Sequence, residues 1–267
     1  MKKAIKKFLI TNDLYYPLRY SFIFHLYQLL FKPRDISQQR REVAFYRSFL
    51  SSCGLIFDIG ANDGHKTEAF LKLGAKVVCC EPDNLNHKIL RVRFRHRKKR
   101  VFIEHSALSD KTGYVEFYIH HPGSAFNTLS LKWKKLLETD NKKKWNEKIS
   151  FTDIVKTETT TLDILIGKYG VPDFIKIDVE GSESLVLKGL TRQVACISFE
   201  ALLPDCLTEI RDCLSAIDKL DHFATYNIAR DERLLLTHFV SKTELEEWAN
   251  NYLEDTYTFE IIVKMPA

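Results

Sequence analysis

The 267-residue sequence has no hydrophobic run long enough to cross a bilayer. Its apolar stretch from Tyr20 to Phe31 covers only twelve residues, whereas a transmembrane helix needs about twenty. The basic opening Met1–Lys7 precedes only three apolar residues, too few for the hydrophobic part of a signal peptide. We therefore expect neither a membrane span nor a secretory leader, and we expect the protein to be cytoplasmic.

The sequence also lacks paired cysteines. Six cysteines are present, without a Cys-x-x-Cys pair or a repeated spacing, and several lie in apolar runs. This distribution predicts reduced thiols in the core, as in a cytoplasmic protein. The apolar fraction of 45% and the charged fraction of 28% are those of a globular chain. The length predicts one α/β domain with additions.

The net charge of +5 is concentrated in the first fifty residues, which hold ten Lys or Arg against three acids. We interpret residues 1–52 as a basic helical extension. We favour the interpretation in which this extension packs on the domain that follows. The alternative is an amphipathic segment that makes peripheral contact with an anionic membrane. The sequence leaves the oligomeric state open.

A second basic cluster, Arg95–Arg100, has no aromatic stacking residues or base-reading motif beside it. Clustered cations attract phosphates because binding releases counterions. A nucleic-acid-binding surface usually shows a recognisable reading motif as well. A solvated loop explains the run equally well, so we expect no nucleic-acid partner.

The centre of the sequence is a buried strand, a glycine loop and a helix. The loop has the pattern Asp-x-Gly-x-Asn-x-Gly, formed by Asp58, Gly60, Asn62 and Gly64. It lacks the Gly-x-Gly-x-x-Gly of dinucleotide sites, in which backbone amides approach a pyrophosphate. The side chain of Asn62 would crowd a pyrophosphate, so the loop disfavours a dinucleotide-dependent oxidoreductase.

An acidic residue, Glu81, ends the next apolar strand, twenty-one residues after Gly60. At this spacing a carboxylate binds the ribose hydroxyls of a nucleoside. An acid at Asp58 repels phosphate and suits a cation such as S-adenosylmethionine. We therefore expect Glu81 to hold the ribose of this cofactor. Its amino acid part should lie against the loop residues Asp58, Gly60, Asn62 and Gly64.

Beyond the loop, apolar strand patterns alternate with amphipathic helical patterns. The strand patterns lie at residues 101–105, 114–119, 174–179, 195–199 and 258–263. This alternation predicts an α/β fold with a doubly wound, mainly parallel sheet and helices on both faces, over residues 53–267. Residues 120–152 are the least regular part, and we expect them to form an insertion on the acceptor side.

Four short blocks occur in order along the chain. They are Asp58–Gly64, Cys80–Pro82, Ser106–Asp110 followed by Gly113, and Phe174–Glu183. Together they resemble the FkbM family of S-adenosylmethionine-dependent methyltransferases, over about residues 55–200. The resemblance implies a Rossmann-like methyltransferase fold, S-adenosylmethionine as cofactor, and Ser106 and Ala107 beside its adenine. It also implies a small-molecule acceptor, such as a sugar hydroxyl of a glycan.

Methyl transfer to a hydroxyl gains from a base within hydrogen-bond reach of the acceptor. Asp178 and Glu180 follow a buried strand, at the edge where ligands of doubly wound sheets bind. We expect one of these two residues to be the catalytic base, in a site without a metal. Two alternatives stay open. The acids could cap the following helix, or Asp178, Glu180 and Glu200 could together hold a cation such as Mg²⁺.

These expectations combine into an O-methyltransferase that moves a methyl group to a hydroxyl of a sugar or other small molecule by in-line displacement. The alternative from another class is a catalytically silent adenosine- or nucleotide-binding module. Such a module would dock on a membrane or a protein partner through the basic extension.

Overall fold

The computed structural model describes residues 14–21, 33–50, 53–139, 148–252 and 257–266. The helices are α1 (Tyr15–Arg19), α2 (Pro33–Phe49), α3 (His65–Leu73), α4 (Asn84–Arg93), α5 (Leu131–Thr139), α6 (Leu162–Tyr169), α7 (Glu183–Lys188), α8 (Leu207–Leu220) and α9 (Lys242–Asn250). The strands are β1 (Leu55–Ile59), β2 (Lys76–Cys80), β3 (Val101–Glu104), β4 (Ala107–Leu108), β5 (Gly113–Ile119), β6 (Asp153–Thr160), β7 (Phe174–Ile177), β8 (Cys196–Leu203), β9 (Thr225–Arg230), β10 (Arg233–Leu234) and β11 (Tyr257–Lys264).

The main sheet has eight strands in the order β10-β9-β11-β8-β7-β1-β2-β3. Strands β3, β2, β1, β7 and β8 are parallel neighbours, whereas β11 runs antiparallel to both β8 and β9. The doubly wound, mainly parallel fold is therefore confirmed. The chain leaves β1 towards β3 and returns on the other side at β7. Ligands of such sheets bind at this switch in strand order, outside the carboxyl ends of the strands.

Helices cover both faces of the main sheet, and each face has its own hydrophobic core. Successive side chains of a strand alternate between the two faces, so in β2 Val77 and Cys79 pack on one side while Val78 and Cys80 pack on the other. Helices α6, α7, α8 and α9 bury their apolar sides in the core that contains Val78 and Cys80. Helices α2, α3 and α4 do so in the core that contains Val77 and Cys79.

Helix α2 belongs to the core of the domain. Tyr46 is fully buried, and its ring lies 4.9 Å from that of Phe70 and 5.7 Å from that of Phe174. Val43 and Leu50, which lie at helical spacing from Tyr46, are only partly buried. Phe45 and Phe49 are buried with Tyr46 instead. Burial of large aromatic rings explains this orientation, because it removes the most apolar area from water.

A small second sheet, in the order β4-β6-β5, stands beside the main one. Strand β5 was expected from its alternation, but β4 and β6 were not. Strand β6 is mostly polar and exposed, so it lacks the hydrophobic signal of a buried strand. The region 120–152 includes α5, whose residues Trp133 and Leu137 are buried. The insertion is thus partly helical where the structure describes it.

The basic extension is described only in part. Much of the apolar stretch Tyr20–Phe31, on which the membrane alternative depends, lies outside the described residues. Its first residue, Tyr20, donates a hydrogen bond to Asp63 (3.3 Å), and Arg93 lies over its ring at 5.1 Å. No helix in the described ranges is apolar and long enough to span a bilayer. The domain boundary after residue 52 and the membrane contact stay predictions.

Candidate active site

The glycine loop after β1 is held against the end of β7. A Cβ atom at Gly60 would lie 1.8 Å from the backbone oxygen of Asp178, so this crossing admits glycine alone. Asn62 has a left-handed backbone (φ 49°), which asparagine tolerates better than most residues. The loop therefore brings the ends of β1 and β7 into contact at the switch point.

Asp58 and Gly64 lie against other residues of the protein rather than against open space. Asp58 lies within β1 and is 1% exposed, and Thr67 donates a hydrogen bond of 2.5 Å to its carboxylate. Burial raises the pKa of Asp58 to about 6. A Cβ at Gly64 would lie 2.6 Å from the ring of Phe94. Neither residue lines the cavity described next, and their direct contact with a cofactor stays a prediction.

A cavity of about 300 Å³ opens at the carboxyl ends of β1 and β2. Five of the residues proposed for the cofactor line it, as do both candidates for the base. These are Gly60, Asn62, Glu81, Ser106, Ala107, Asp178 and Glu180. Another wall of the cavity is formed by Ser124, Asn127 and Leu129. They belong to the region 120–152, which was predicted to lie on the acceptor side. The first residues of the insertion thus line the same cavity as the glycine loop.

The carboxylate of Glu81 is the main polar group at the β2 end of this cavity. Its two oxygens accept hydrogen bonds from the backbone N–H groups of Asn62 and Asp83, each at 2.8 Å. Glu81 is 5% exposed, and burial raises its pKa to about 8 despite these two bonds. Because each carboxylate oxygen has two lone pairs, the group retains capacity for the two hydroxyls of a ribose.

Three acids meet at the β7 end of the cavity. Oxygens of Asp178, Glu180 and Glu200 all lie within 4.8 Å of one another. Glu180 has a left-handed backbone (φ 59°), because the strand ends at Ile177 and the chain turns there. Burial and the neighbouring carboxylates raise the pKa of Glu180 and of Glu200 well above the usual value. Crowding of the three carboxyl groups thus disfavours ionisation of all of them at once.

The family model of the FkbM methyltransferase domain matches residues 58–223. The chain belongs to this methyltransferase family. The cofactor of this FkbM-family methyltransferase is S-adenosylmethionine, and the cavity suits it: Glu81 can accept from a ribose, and the acids favour a cationic sulfonium. In the described residues, Gly60, Asn62, Glu81, Ser106 and Ala107 are the groups that would hold it.

One curated relative is the 2-O-methyltransferase NoeI of Sinorhizobium fredii, which is 29% identical over 147 residues. The match covers 51% of this chain and spans about half (56%) of that protein. Among solved structures, a precorrin-6y C5,15-methyltransferase from Geobacter metallireducens shares 11% identity, with a TM-score of 0.43 over 85% of this chain and 86% of that one. An O-methyltransferase from Thermotoga maritima shares 10%, with a TM-score of 0.40 over 84% and 64%.

A buried lysine balances part of the charge of the acids in this methyltransferase. Lys176 lies in β7, and its Nζ is 3.0 Å from Oδ2 of Asp178. Burial alone would lower the pKa of Lys176, but the carboxylates of Asp178, Glu260 and Glu200 reverse this and raise it. Lys176 therefore stays charged and orients Asp178. The contribution of Glu260 comes from the antiparallel strand β11.

The loop that carries the acids is held from two sides. Oε1 of Glu183 accepts the backbone N–H groups of Val179 and Gly181 at 3.1 and 3.2 Å. From the insertion, Thr128 donates its hydroxyl to the backbone oxygen of Glu180 at 2.6 Å. Glu183 thus satisfies backbone amides of the loop before α7, and among the described residues no side-chain hydrogen bond caps that helix at Ser182. The insertion holds the backbone of Glu180 in place.

Proposed function

We propose that this methyltransferase moves a methyl group to a hydroxyl of a small molecule, such as a sugar, with Asp178 or Glu180 as the base. The observation that carries the proposal is the convergence of three acids at the edge of the cofactor cavity. The name of the relative NoeI, a 2-O-methyltransferase, supports an oxygen acceptor. A hydroxyl is a weak nucleophile, so it gains from a nearby base.

The carboxylates supply what the reaction requires of the protein. When bound, S-adenosylmethionine offers an electrophilic methyl group on a sulfonium, which leaves as a neutral thioether without needing an acid. The new bond joins the acceptor oxygen to the methyl carbon, and the proton of that hydroxyl passes to a carboxylate. Because its pKa is raised, Glu180 is a stronger proton acceptor, once ionised, than an ordinary glutamate. Asp178 is fixed by Lys176 and can also orient the hydroxyl.

Separate variants can assign the base. We expect either Asp178→Asn or Glu180→Gln to lower the rate of methyl transfer by about 10²–10⁴-fold, as for loss of a general base. The assay transfers labelled methyl groups to a panel of hydroxyl compounds, and titration with S-adenosylhomocysteine confirms that cofactor binding persists. Glu158→Gln, an exposed acid on β6, is the matched control. Wild-type rates in both active-site variants would refute the base role.

The same assay tests the alternative that the three acids hold a hard cation. Three carboxylate oxygens within 4.8 Å of one another could ligate a single Mg²⁺. Treatment with a chelator should then abolish transfer, and added Mg²⁺ should restore it. Under the proposed base mechanism without a metal, the rate in chelator equals the untreated rate.

A further inference from the structure

A second cavity of about 260 Å³ lies next to the cofactor cavity. Glu200 lines both cavities, so the two spaces meet at the acidic cluster. The second cavity lies between α5, β8 and α8. Its apolar lining includes Trp133, Leu136, Leu202, Cys206, Ile210 and Cys213. A molecule in this space would adjoin the acids that the proposed reaction uses.

Two buried or partly buried acids around the second cavity are engaged within the protein, whereas Lys132 and Lys135, which also line it, are exposed. Glu183 accepts the backbone N–H groups of Val179 and Gly181, and Glu209 accepts that of Ser184 at 2.9 Å. A sugar ring buried here would place several hydroxyls against apolar walls, at a cost for each one without a partner. The lining therefore favours an apolar occupant away from Glu200.

One polar atom of the wall has no such partner. The indole N–H of Trp133 is buried, with 6% of the residue exposed, and it makes no hydrogen bond to any described residue. It faces the Glu180 carboxylate, whose pKa it lowers slightly, but no hydrogen bond of normal geometry joins the two groups. A buried donor that lacks a well-formed hydrogen bond calls for an explanation. An acceptor oxygen beside Glu180 would provide one.

We propose that the second cavity binds the apolar body of the methyl acceptor, whose hydroxyl faces Glu180 and Glu200. This inference rests on the proposed O-methyltransferase function and narrows its substrate class. A dry apolar cavity of about 150 Å³ holds one benzene ring, so a cavity of about 260 Å³ has room for a substituted ring or a short alkyl chain. The acceptor is then a hydroxyl compound with an apolar portion, and a free sugar is a poor fit.

The test measures binding of three probes to the full chain: 2-naphthol, 1-octanol and glucose. Calorimetric titration with S-adenosylhomocysteine comes first, and the probes are then added to the saturated protein. We expect 2-naphthol or 1-octanol to bind and glucose not to bind. Cys206→Phe, which places a ring in the cavity, should weaken that binding by about tenfold or more, as small changes of volume do in apolar pockets. Its affinity for S-adenosylhomocysteine should be unchanged.

Cys53→Phe is the matched control, since Cys53 is also partly buried but packs in the core on the α2 side of the sheet. If Cys206→Phe does not fold, Leu136→Trp fills the same space from α5. Failure of both apolar probes to bind at about millimolar concentration would overturn the inference. So would binding of glucose alone, or equal binding by the filled variant and the control. Absence of S-adenosylhomocysteine binding would count against the proposed function instead.

Discussion

The pH dependence of cofactor binding tests the role of Glu81 most directly. In the free protein, burial raises the pKa of this carboxyl to about 8, so much of it is protonated at neutral pH. A protonated carboxyl cannot accept hydrogen bonds from two ribose hydroxyls as a carboxylate does. Binding through the ribose therefore favours the ionised form. It should release a proton when the free group was protonated.

The size of the effect follows from that pKa. Well below pH 8, each unit of pH lowers the ionised fraction of Glu81 in the free protein about tenfold. If only the ionised form binds, the dissociation constant of S-adenosylhomocysteine rises about 50-fold between pH 8 and pH 6. Above pH 8 the constant should level off. The acids Glu180 and Glu200 also have raised pKa values, so they can add to the slope.

Calorimetric titration at several pH values, in buffers of different ionisation enthalpy, measures both the affinity and the protons released. Glu81→Gln should bind more weakly at pH 8 and show a shallower slope, because the amide does not titrate. Glu104→Gln is the control, since its carboxylate accepts from Lys168 at 2.6 Å and does not line the cavity. An affinity that stays flat from pH 6 to pH 8 refutes the reasoning. A slope of Glu81→Gln equal to that of the wild type does so too.

Two further predictions concern residues that hold the acidic cluster in place. Lys176→Met leaves the partly buried charge of Asp178 without its cation and should lower the free energy of unfolding by about 1–3 kcal/mol. Urea denaturation measures this loss, and an unchanged midpoint contradicts the pairing. Gly181→Ala places a Cβ 2.8 Å from the Cβ of Trp133, at a φ of +90°, and should cost about 1–3 kcal/mol. Its control, Gly167→Ala, has open space in α6, and equal losses in both alanine variants would exclude the clash.

Some features of the site were predictable because they depend on nearby residues. The turn between β1 and α3 needs residues that accept positive φ angles. The glycines and the asparagine in the sequence therefore predict this turn. Glu81 follows a short buried strand at a set distance from that turn. Both signals lie within about thirty residues of sequence. The sequence alone therefore predicted that Gly60 and Glu81 belong to one site, and both line the same cavity.

Other features depended on the way a strand is oriented once it is packed. Asp58 was assigned to the glycine loop, and the predicted strand 195–199 ended before Glu200, yet both residues lie inside strands, β1 and β8. Alternation along β1 directs Asp58 towards Thr67 and away from the cavity. In α2, Phe45 is buried beside Tyr46, whose ring contacts rings on other elements, whereas Val43 is only partly buried. A helical period by itself does not identify which of two overlapping faces is buried.

The sequence by itself determined the strands β1, β2, β3, β5, β7, β8 and β11, the glycine loop and the identity of the acids. Only the tertiary structure decided which acids meet. Asp178 and Glu180 follow β7, whereas Glu200 comes from the adjacent strand β8, and strand order brings their oxygens within 4.8 Å. Sequence patterns record periodicity within one element, and the meeting of two elements depends on packing across the whole sheet. The second cavity arose in the same way, between α5 of the insertion and α8.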